Sequence, residues 1–360
     1  MKPSPHYYAV IMAGGGGERF WPMSRMRTPK QLLALVTERT LIEETVARIE
    51  PVFPLKNILI ITNTAQAPKI RKLLPHIPKK NIIAEPMRRD TAAAVALGTV
   101  IVARRNPNAV MAVLPADHVI KEPAKYQRVL VDCLELAGRE KVLVTIGIKP
   151  TEPNTGYGYI EAGKKRGTKF WDAKRFVEKP DLATAKKYVA SGRYRWNAGM
   201  FVWSAAAVSE ALDTHIPELF SRLRTLHPAI DTPRFSDALR KLYPKLQRVS
   251  IDYGLMEKAQ NVVVADGSFA WDDVGSWVAL ERHLPRDAHG NVSRGKLVSL
   301  RSQNNIVIGD KRLIATLGVR DLIIVETKDA TLICHRDEAQ KIKEIVTWLG
   351  QHPEWKKHVE

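Results

Sequence analysis

The feature that most constrains this chain is an apolar run, Tyr7 to Met12, that leads through Ala13 into four consecutive glycines, Gly14 to Gly17. A short apolar run bounded by glycine reads as a buried parallel strand. Glycines in a row let the backbone bend sharply and bring bare N–H groups close to a ligand. Arg19, Arg25, Arg27 and Lys30 follow within one loop's reach. The stretch is a phosphate cradle with cationic side chains around it. It is not a Walker loop, which needs Gly-Lys before Ser or Thr, because Gly17 is followed by Glu18 and Arg19. The dinucleotide fingerprint fails as well, since counting from Gly14 its last glycine falls on Arg19.

Strands and helices alternate along the next 130 residues or so. Thr40 and Glu43 form a capping box that opens a helix ending near Pro51. Strands are expected at Asn57 to Thr62, Asn81 to Ala84, Ala109 to Leu114 and Lys141 to Ile148, with helices from Thr64 to Leu74 and from Ala92 to Arg105. This alternation predicts an open parallel sheet with ligands at the carboxyl ends of its strands, where the glycine loop, Glu85 and Asp117 all fall. From Gly156 the pattern turns antiparallel, with strands at Gly156 to Glu161, Arg175 to Pro180 and Arg195 to Trp203, a helix capped by Asp181 running to Ser191, and another helix around Ser250 to Lys258. Past Pro285, short apolar strands recur at Leu297–Leu300, Ile306–Ile308, Leu313–Leu317, Leu322–Val325 and Leu332–Cys334, and an amphipathic helix runs from Lys341 to Leu349. That spacing suggests a small β-solenoid or β-roll, with packing or subunit contact as its work.

The net charge is +18, but the Lys and Arg residues are dispersed, without a polybasic tail or a basic-aromatic module. Dispersed positive charge steers anionic small substrates, and no nucleic-acid partner is expected. No apolar run approaches the length of a membrane span and the first residues lack a signal-peptide shape, so a cytoplasmic protein without a membrane partner is expected. Cys133 and Cys334 sit far apart in apolar contexts and read as small buried hydrophobes; no zinc spacing exists.

The continuation Arg19, Pro22, Pro29-Lys30-Gln31 makes the glycine loop resemble the signature of the sugar-1-phosphate nucleotidylyltransferases, G-G-x-G-x-R followed by a Pro-Lys pair. Leu114-Pro115-Ala116-Asp117-His118 and Trp271-Asp272-Asp273-Val274-Gly275-Ser276-Trp277 resemble the metal-binding motifs of the mannose-1-phosphate guanylyltransferases within that family. The resemblance runs from about residue 7 to 285, with at least six motifs in family order. It implies that Asp117 and Asp273, rather than Asp272, hold Mg2+. It implies further that Arg19 meets the β- and γ-phosphates, Lys30 the α-phosphate and Lys179 the sugar's phosphate. Glu178, Glu161 and Asn197 would bind sugar hydroxyls, and Gly156 and Gly158 would let backbone approach the sugar. Ala198 stands where the family usually has serine, and Asp90 where asparagine is commoner.

Base choice has its own physical argument. Guanine offers donors at N1 and at its 2-amino group, and an acceptor at O6. A carboxylate such as Glu85 matches the two donors, while Arg89 or a backbone N–H meets O6. Glu85 could also be a charge placed to favour a helix N-terminus. With Ala13, Gly14, Gly15, Gly16, Gly17 and Thr91, these residues make up the expected nucleotide site.

The expected fold is α/β. A Rossmann-like open mixed-sheet nucleotidyltransferase domain spans 1–285, and a small β-rich, β-solenoid-like domain ending in a helix spans 286–360. The expected reaction is GTP plus mannose 1-phosphate giving GDP-mannose and pyrophosphate with Mg2+, in a chain without an appended domain for isomerising mannose 6-phosphate. A homodimer is the assembly to be tested. The alternatives are the same chemistry on another sugar 1-phosphate or nucleotide, and a non-catalytic regulatory relative of the fold.

Overall fold

The computed structural model describes residues 4–360, which group into two compact units. One holds the chain up to Gly14 together with Val46–Ala116 and Ile120–Trp271; the other holds Gly15–Thr45, Asp117–Val119 and Asp272–Glu360.

The first unit is built on a nine-stranded sheet. β1 (Tyr7–Met12), β2 (Ile58–Asn63), β3 (Ile82–Glu85) and β4 (Val110–Pro115) run parallel in the order β3-β2-β1-β4. Each is an apolar run buried on both faces, as parallel strands require. The two-residue β5 (Val119–Ile120) follows β4. β6 (Leu143–Ile148), β7 (Tyr159–Arg166), β8 (Phe170–Val177), β9 (Tyr194–Ser204) and β10 (Val262–Asp266) complete the sheet in the order β4-β9-β6-β10-β8-β7. β9 runs antiparallel to both β4 and β6, so the sheet is mixed, as expected of the open mixed-sheet domain. The cause is the β7–β8 hairpin, after which the chain enters β9 from the opposite end.

α1 (Leu41–Ile49) opens on the expected capping box: Thr40 N–H donates to Glu43 Oε2 at 2.9 Å and Glu43 N–H to Thr40 Oγ1 at 3.4 Å. α2 (Ala67–Leu73) and α3 (Asp90–Arg105) follow β2 and β3. α4 (Pro123–Arg139) adds to the elements expected from sequence; its signal is a proline in the first turn and buried Tyr126, Leu130, Cys133, Leu134 and Ala137 at helical spacing. α5 (Leu182–Ser191) is capped by Asp181, which accepts the Thr184 N–H at 2.8 Å. α6 (Ala205–His215) and α7 (Pro217–Arg224) pack on α3, and α8 (Phe235–Leu242) follows. The helix expected around Ser250 to Lys258 is a single π turn, Asp252–Met256.

Past β11 (Trp271–Asp272) the second unit contains β12 (Val292–Leu300), β13 (Ile306–Leu317), β14 (Leu322–Glu326), β15 (Thr331–His335) and α9 (Ile342–Gln351). β12, β13 and β14 are parallel, with Val292, Ile306 and Ile323 in register; β15 closes the sheet antiparallel. The strands expected at Ile306–Ile308 and Leu313–Leu317 are one strand, with its register shifted opposite Gly295. Buried asparagines stack across the rungs: Asn291 Oδ1 accepts both N–H groups of Asn305 at 3.0 Å, and Asn305 Oδ1 accepts the Leu322 N–H at 3.0 Å. This is the β-helix-like domain anticipated from the strand spacing. Its core is shared: Ile306, Ile308, Ile323 and Val325 pack with Phe20, Trp21 and Leu33 from the glycine-loop segment and with Val274 and Trp277. Phe20 meets Trp277 edge-on at 5.0 Å, and Trp277 Nε1 donates to the Trp21 carbonyl at 3.2 Å.

Candidate active site

The candidate residues of the second unit form a cluster of cations and carboxylates. Gly17 has φ +64°, and a Cβ there would lie 2.5 Å from Lys30 Cβ and 2.6 Å from Lys30 N. Only glycine lets the loop close on the Lys30 backbone. Lys30 is 7% exposed; its ammonium donates to Asp117 Oδ2 at 2.8 Å and to the Asp273 carbonyl, and lies 5.9 Å from the Phe20 ring centroid. Burial opposes ionisation of Asp117, but the charges of Lys30 and His118 outweigh it and hold the carboxyl below its ordinary range. Arg19, exposed, donates to the Gly275 carbonyl at 3.4 Å. Gly15 O accepts the Gln31 side-chain N–H at 3.2 Å, a Cβ on Gly15 would meet open space, and Gly16 is half-buried.

The Asp273 turn is held from beneath. Asp272 is buried, and its carboxylate accepts the Val274 N–H at 2.8 Å and two Arg282 N–H groups at 2.6 and 2.8 Å; His283 Nε2 lies 2.7 Å away. Burial would raise the Asp272 pKa, but His283, Arg282 and the Val274 N–H together hold it far below the usual carboxylate range. The Asp273 carboxylate lies against Gly275, where a Cβ would be 3.2 Å from Oδ2. Asp117 and Asp273 offer hard oxygen donors, and among the described residues no third His, Cys, Asp or Glu joins them in a closed cage. Two carboxylates, completed by substrate phosphates and water, are the donor set that Mg2+ takes at nucleotide sites, so the residues fit such a cation.

In the first unit, Ala13 fixes the start of the glycine loop: its N–H donates to Ile61 O at 2.7 Å, and its carbonyl accepts the Thr62 hydroxyl at 3.0 Å. A Cβ on Gly14 would lie 3.2 Å from Glu85 Oε2. Glu85 is 6% exposed, and its Oε1 accepts the hydroxyl of fully buried Tyr243. Burial lifts the Glu85 pKa to about 7, with the Tyr243 bond pulling the other way. Arg89 donates to the Pro244 carbonyl, Asp90 pairs with Arg248 at 2.9 Å, and Thr91 Oγ1 accepts the Ile251 N–H at 2.8 Å.

A further cluster of this unit surrounds Gly158. Asn197 N–H donates to Gly158 O at 2.8 Å, and a Cβ on Gly158 would collide with Glu178 Oε2. Lys179, at φ +46°, holds Glu178 Oε1 at 2.8 Å. Asn197 Oδ1 accepts from Thr145 and from Gly199 N–H, both at 3.1 Å, while its Nδ2 donates to Asp252 Oδ1 at 3.0 Å. Its oxygen is thus taken by protein donors, and what the amide has left to offer a sugar is an Nδ2 donor rather than an acceptor. Burial, then the Glu178 charge, raises the Asp252 pKa to about 6.

Glu161 lies apart from that cluster. Tyr159 pairs with Trp196 and Glu161 with Tyr194, so the pleat turns Glu161 to the face opposite Gly158 and Asn197. Its carboxylate accepts the Tyr194 hydroxyl at 3.1 Å and pairs with Lys174 and Arg175 at 3.5 and 3.8 Å. Its partners are thus side chains of the sheet, not those of the Glu178 cluster.

The geometry also supplies Tyr243, Asp252 and the Asp272 clamp, which sequence reasoning did not place in the site. Asp252 had a signal, a lone acid beside Gly254 in an apolar segment; Tyr243 had none, because nothing local ties it to Glu85.

Residues 8–289 match the family model described as nucleotidyl transferase, and residues 295–349 the model described as MannoseP isomerase/GMP-like beta-helix domain. The chain is 36% identical over 357 residues to a mannose-1-phosphate guanylyltransferase of Escherichia coli (strain K12), covering 96% of this chain and 74% of that protein. It is 38% identical over 344 residues to the xanthan biosynthesis protein XanB of Xanthomonas campestris pv. campestris (strain B100), covering 94% and 72%. A solved structure from Thermus thermophilus, described as a mannose-1-phosphate geranyltransferase, superposes with a TM-score of 0.86 at 37% identity, covering 96% of this chain and 99% of that one. The chain therefore belongs to the nucleotidyl transferase family, among its mannose-1-phosphate guanylyltransferases, and is an enzyme of sugar-1-phosphate nucleotidyl transfer.

Proposed function

We propose that the chain transfers GMP from GTP to α-D-mannose 1-phosphate, with Mg2+, yielding GDP-mannose and pyrophosphate. The observation that carries this reading is Lys30, a buried ammonium pinned between the Asp117 carboxylate and the Asp273 carbonyl. An ammonium has three N–H donors and these bonds use two, which leaves one to meet an α-phosphate oxygen from a fixed position. An oxygen of the sugar phosphate attacks the α-phosphorus in line. A new P–O bond forms as the bond to the α–β bridging oxygen breaks, and pyrophosphate leaves with the electron pair. Arg19 meets the β- and γ-phosphates, and Lys179 the phosphate of the incoming sugar. A divalent cation held by Asp117 and Asp273 would supply positive charge for the departing pyrophosphate.

Guanine follows from Glu85, whose carboxylate suits the N1 and 2-amino donors, and mannose from the names of the relatives. Gly158, Glu178 and Asn197 make up the sugar end. The test is pyrophosphate release with Mg2+, crossing four nucleoside triphosphates against mannose, glucose and related 1-phosphates. Release with GTP and mannose 1-phosphate alone is expected; release only with another pair overturns the specificity, and none with any pair overturns the reaction.

A further inference from the structure

The residues 85–92, which read as one base-recognition motif, are tied residue by residue to one distant segment, 243–251. Tyr243 donates to Glu85, Arg89 to the Pro244 carbonyl, and Arg248 to Asp90 at 2.9 Å. The Ile251 N–H donates to Thr91 Oγ1 at 2.8 Å, and the Ala92 N–H to Val249 O at 3.2 Å. Tyr243 itself has no exposed surface, and its phenol points at one carboxylate oxygen, Glu85 Oε1. The other oxygen, Oε2, faces the Gly14 backbone, where even a methyl would crowd it.

We infer that Tyr243 is a specificity-determining positioning residue, which fixes the plane of the Glu85 carboxylate so that it can accept the N1 and 2-amino donors of guanine together. A glutamate carboxylate free to turn about its Cγ–Cδ bond can satisfy one donor at a time; one held at Oε1 presents both oxygens in a set orientation. The segment 243–251 is then a strap whose ties keep the motif in register with that carboxylate. Tyr243 does not touch the reacting atoms and acts through Glu85. The inference rests on the proposed reading of Glu85 as the base-reading acid.

The test compares Tyr243→Phe, Glu85→Gln and the double variant, with GTP and with inosine triphosphate, which lacks the 2-amino group. Tyr243→Phe is expected to raise KM for GTP about tenfold with kcat within about twofold, and to narrow the preference for GTP over inosine triphosphate. KM for mannose 1-phosphate is expected to stay unchanged. In the Glu85→Gln background the tyrosine change is expected to add nothing, because its effect passes through that carboxylate. Additive losses in both backgrounds, or an unchanged GTP preference in folded Tyr243→Phe while Glu85→Gln loses it, overturn the inference and leave the reading of Glu85 standing. If Glu85→Gln itself leaves the preference unchanged, the reading of Glu85 fails and the inference with it. Should Tyr243→Phe not fold, Arg248→Gln decides: its side chain is largely exposed, and a rise of about twofold in KM for GTP supports the strap, whereas no change overturns it.

Discussion

Asp272 Oδ1 accepts the N–H of Val274 at 2.8 Å and so holds a fully buried, β-branched residue at φ +47°. That backbone region is costly for such a side chain and persists only where the surroundings over-determine it. Here the surroundings are Arg282 and His283 on the Asp272 carboxylate, and the turn they enforce presents the Asp273 carboxylate, its carbonyl to Lys30 and the Gly275 carbonyl to Arg19.

Asp272→Asn is therefore expected to lose both stability, by about 2–4 kcal/mol, and turnover, because a buried charged network loses its centre. Asp273→Asn is expected to lose at least ~100-fold in turnover with little change in Tm, since only the carboxylate that fits a cation is altered. The Asp272 pKa is depressed in the fold, so its contribution is present above the ordinary value of 3.8 and fades as pH falls below it. Denaturant titrations of the two variants against the wild type, at neutral and acid pH, check all three statements.

Lys30 and Asp117 depend on each other. Lys30→Met is expected to lower turnover at least ~100-fold, since the cation proposed to meet the α-phosphate is lost. Asp117→Asn is expected to lower turnover to a similar degree and also to cost about 1–3 kcal/mol, because it weakens the bond that satisfies a buried ammonium. Pyrophosphate release and thermal melts, run side by side, measure both.

Glu85 gives the enzyme a titration near neutrality. Burial lifts its pKa from 4.5 to about 7. Because the folded value is the higher one, the stability linked to this group is fully present below about pH 4.5 and is lost as pH rises through 7, on the order of 3 kcal/mol in all. Glu85→Gln should flatten that dependence in denaturant titrations. If Glu85 reads guanine as proposed, the same ionisation creates its acceptor, so KM for GTP is expected to fall as pH rises from about 6 to 8 in the wild type and to stay level in Glu85→Gln.

The glycines of the loop are not equivalent. Gly17→Ala combines φ +64° with a Cβ 2.5 Å from Lys30 Cβ, and is expected to cost more than about 2 kcal/mol and most of the turnover. Gly15→Ala meets open space and is expected to keep wild-type stability within about 0.5 kcal/mol. Paired melting curves and rate measurements separate the two.

What the sequence by itself determined is local. The first strand, the capping box at Thr40 and Glu43 and the Asp181 cap are each set by neighbours a few residues away, through hydrogen-bond reach or apolar period. Tertiary structure decided the rest. The pleat of β7 turned Glu161 away from Gly158, a hairpin reversed β9, and a buried tyrosine 158 residues along the chain took one oxygen of Glu85. The β-helix-like strands proved to share a core with Phe20, Val274 and Trp277, and so support the segments that carry Arg19, Lys30 and Asp273. Strand direction, the face a pleat presents and the partner of a buried polar atom depend on pairings between residues far apart in the chain, and local sequence pattern carries no record of which pairing wins.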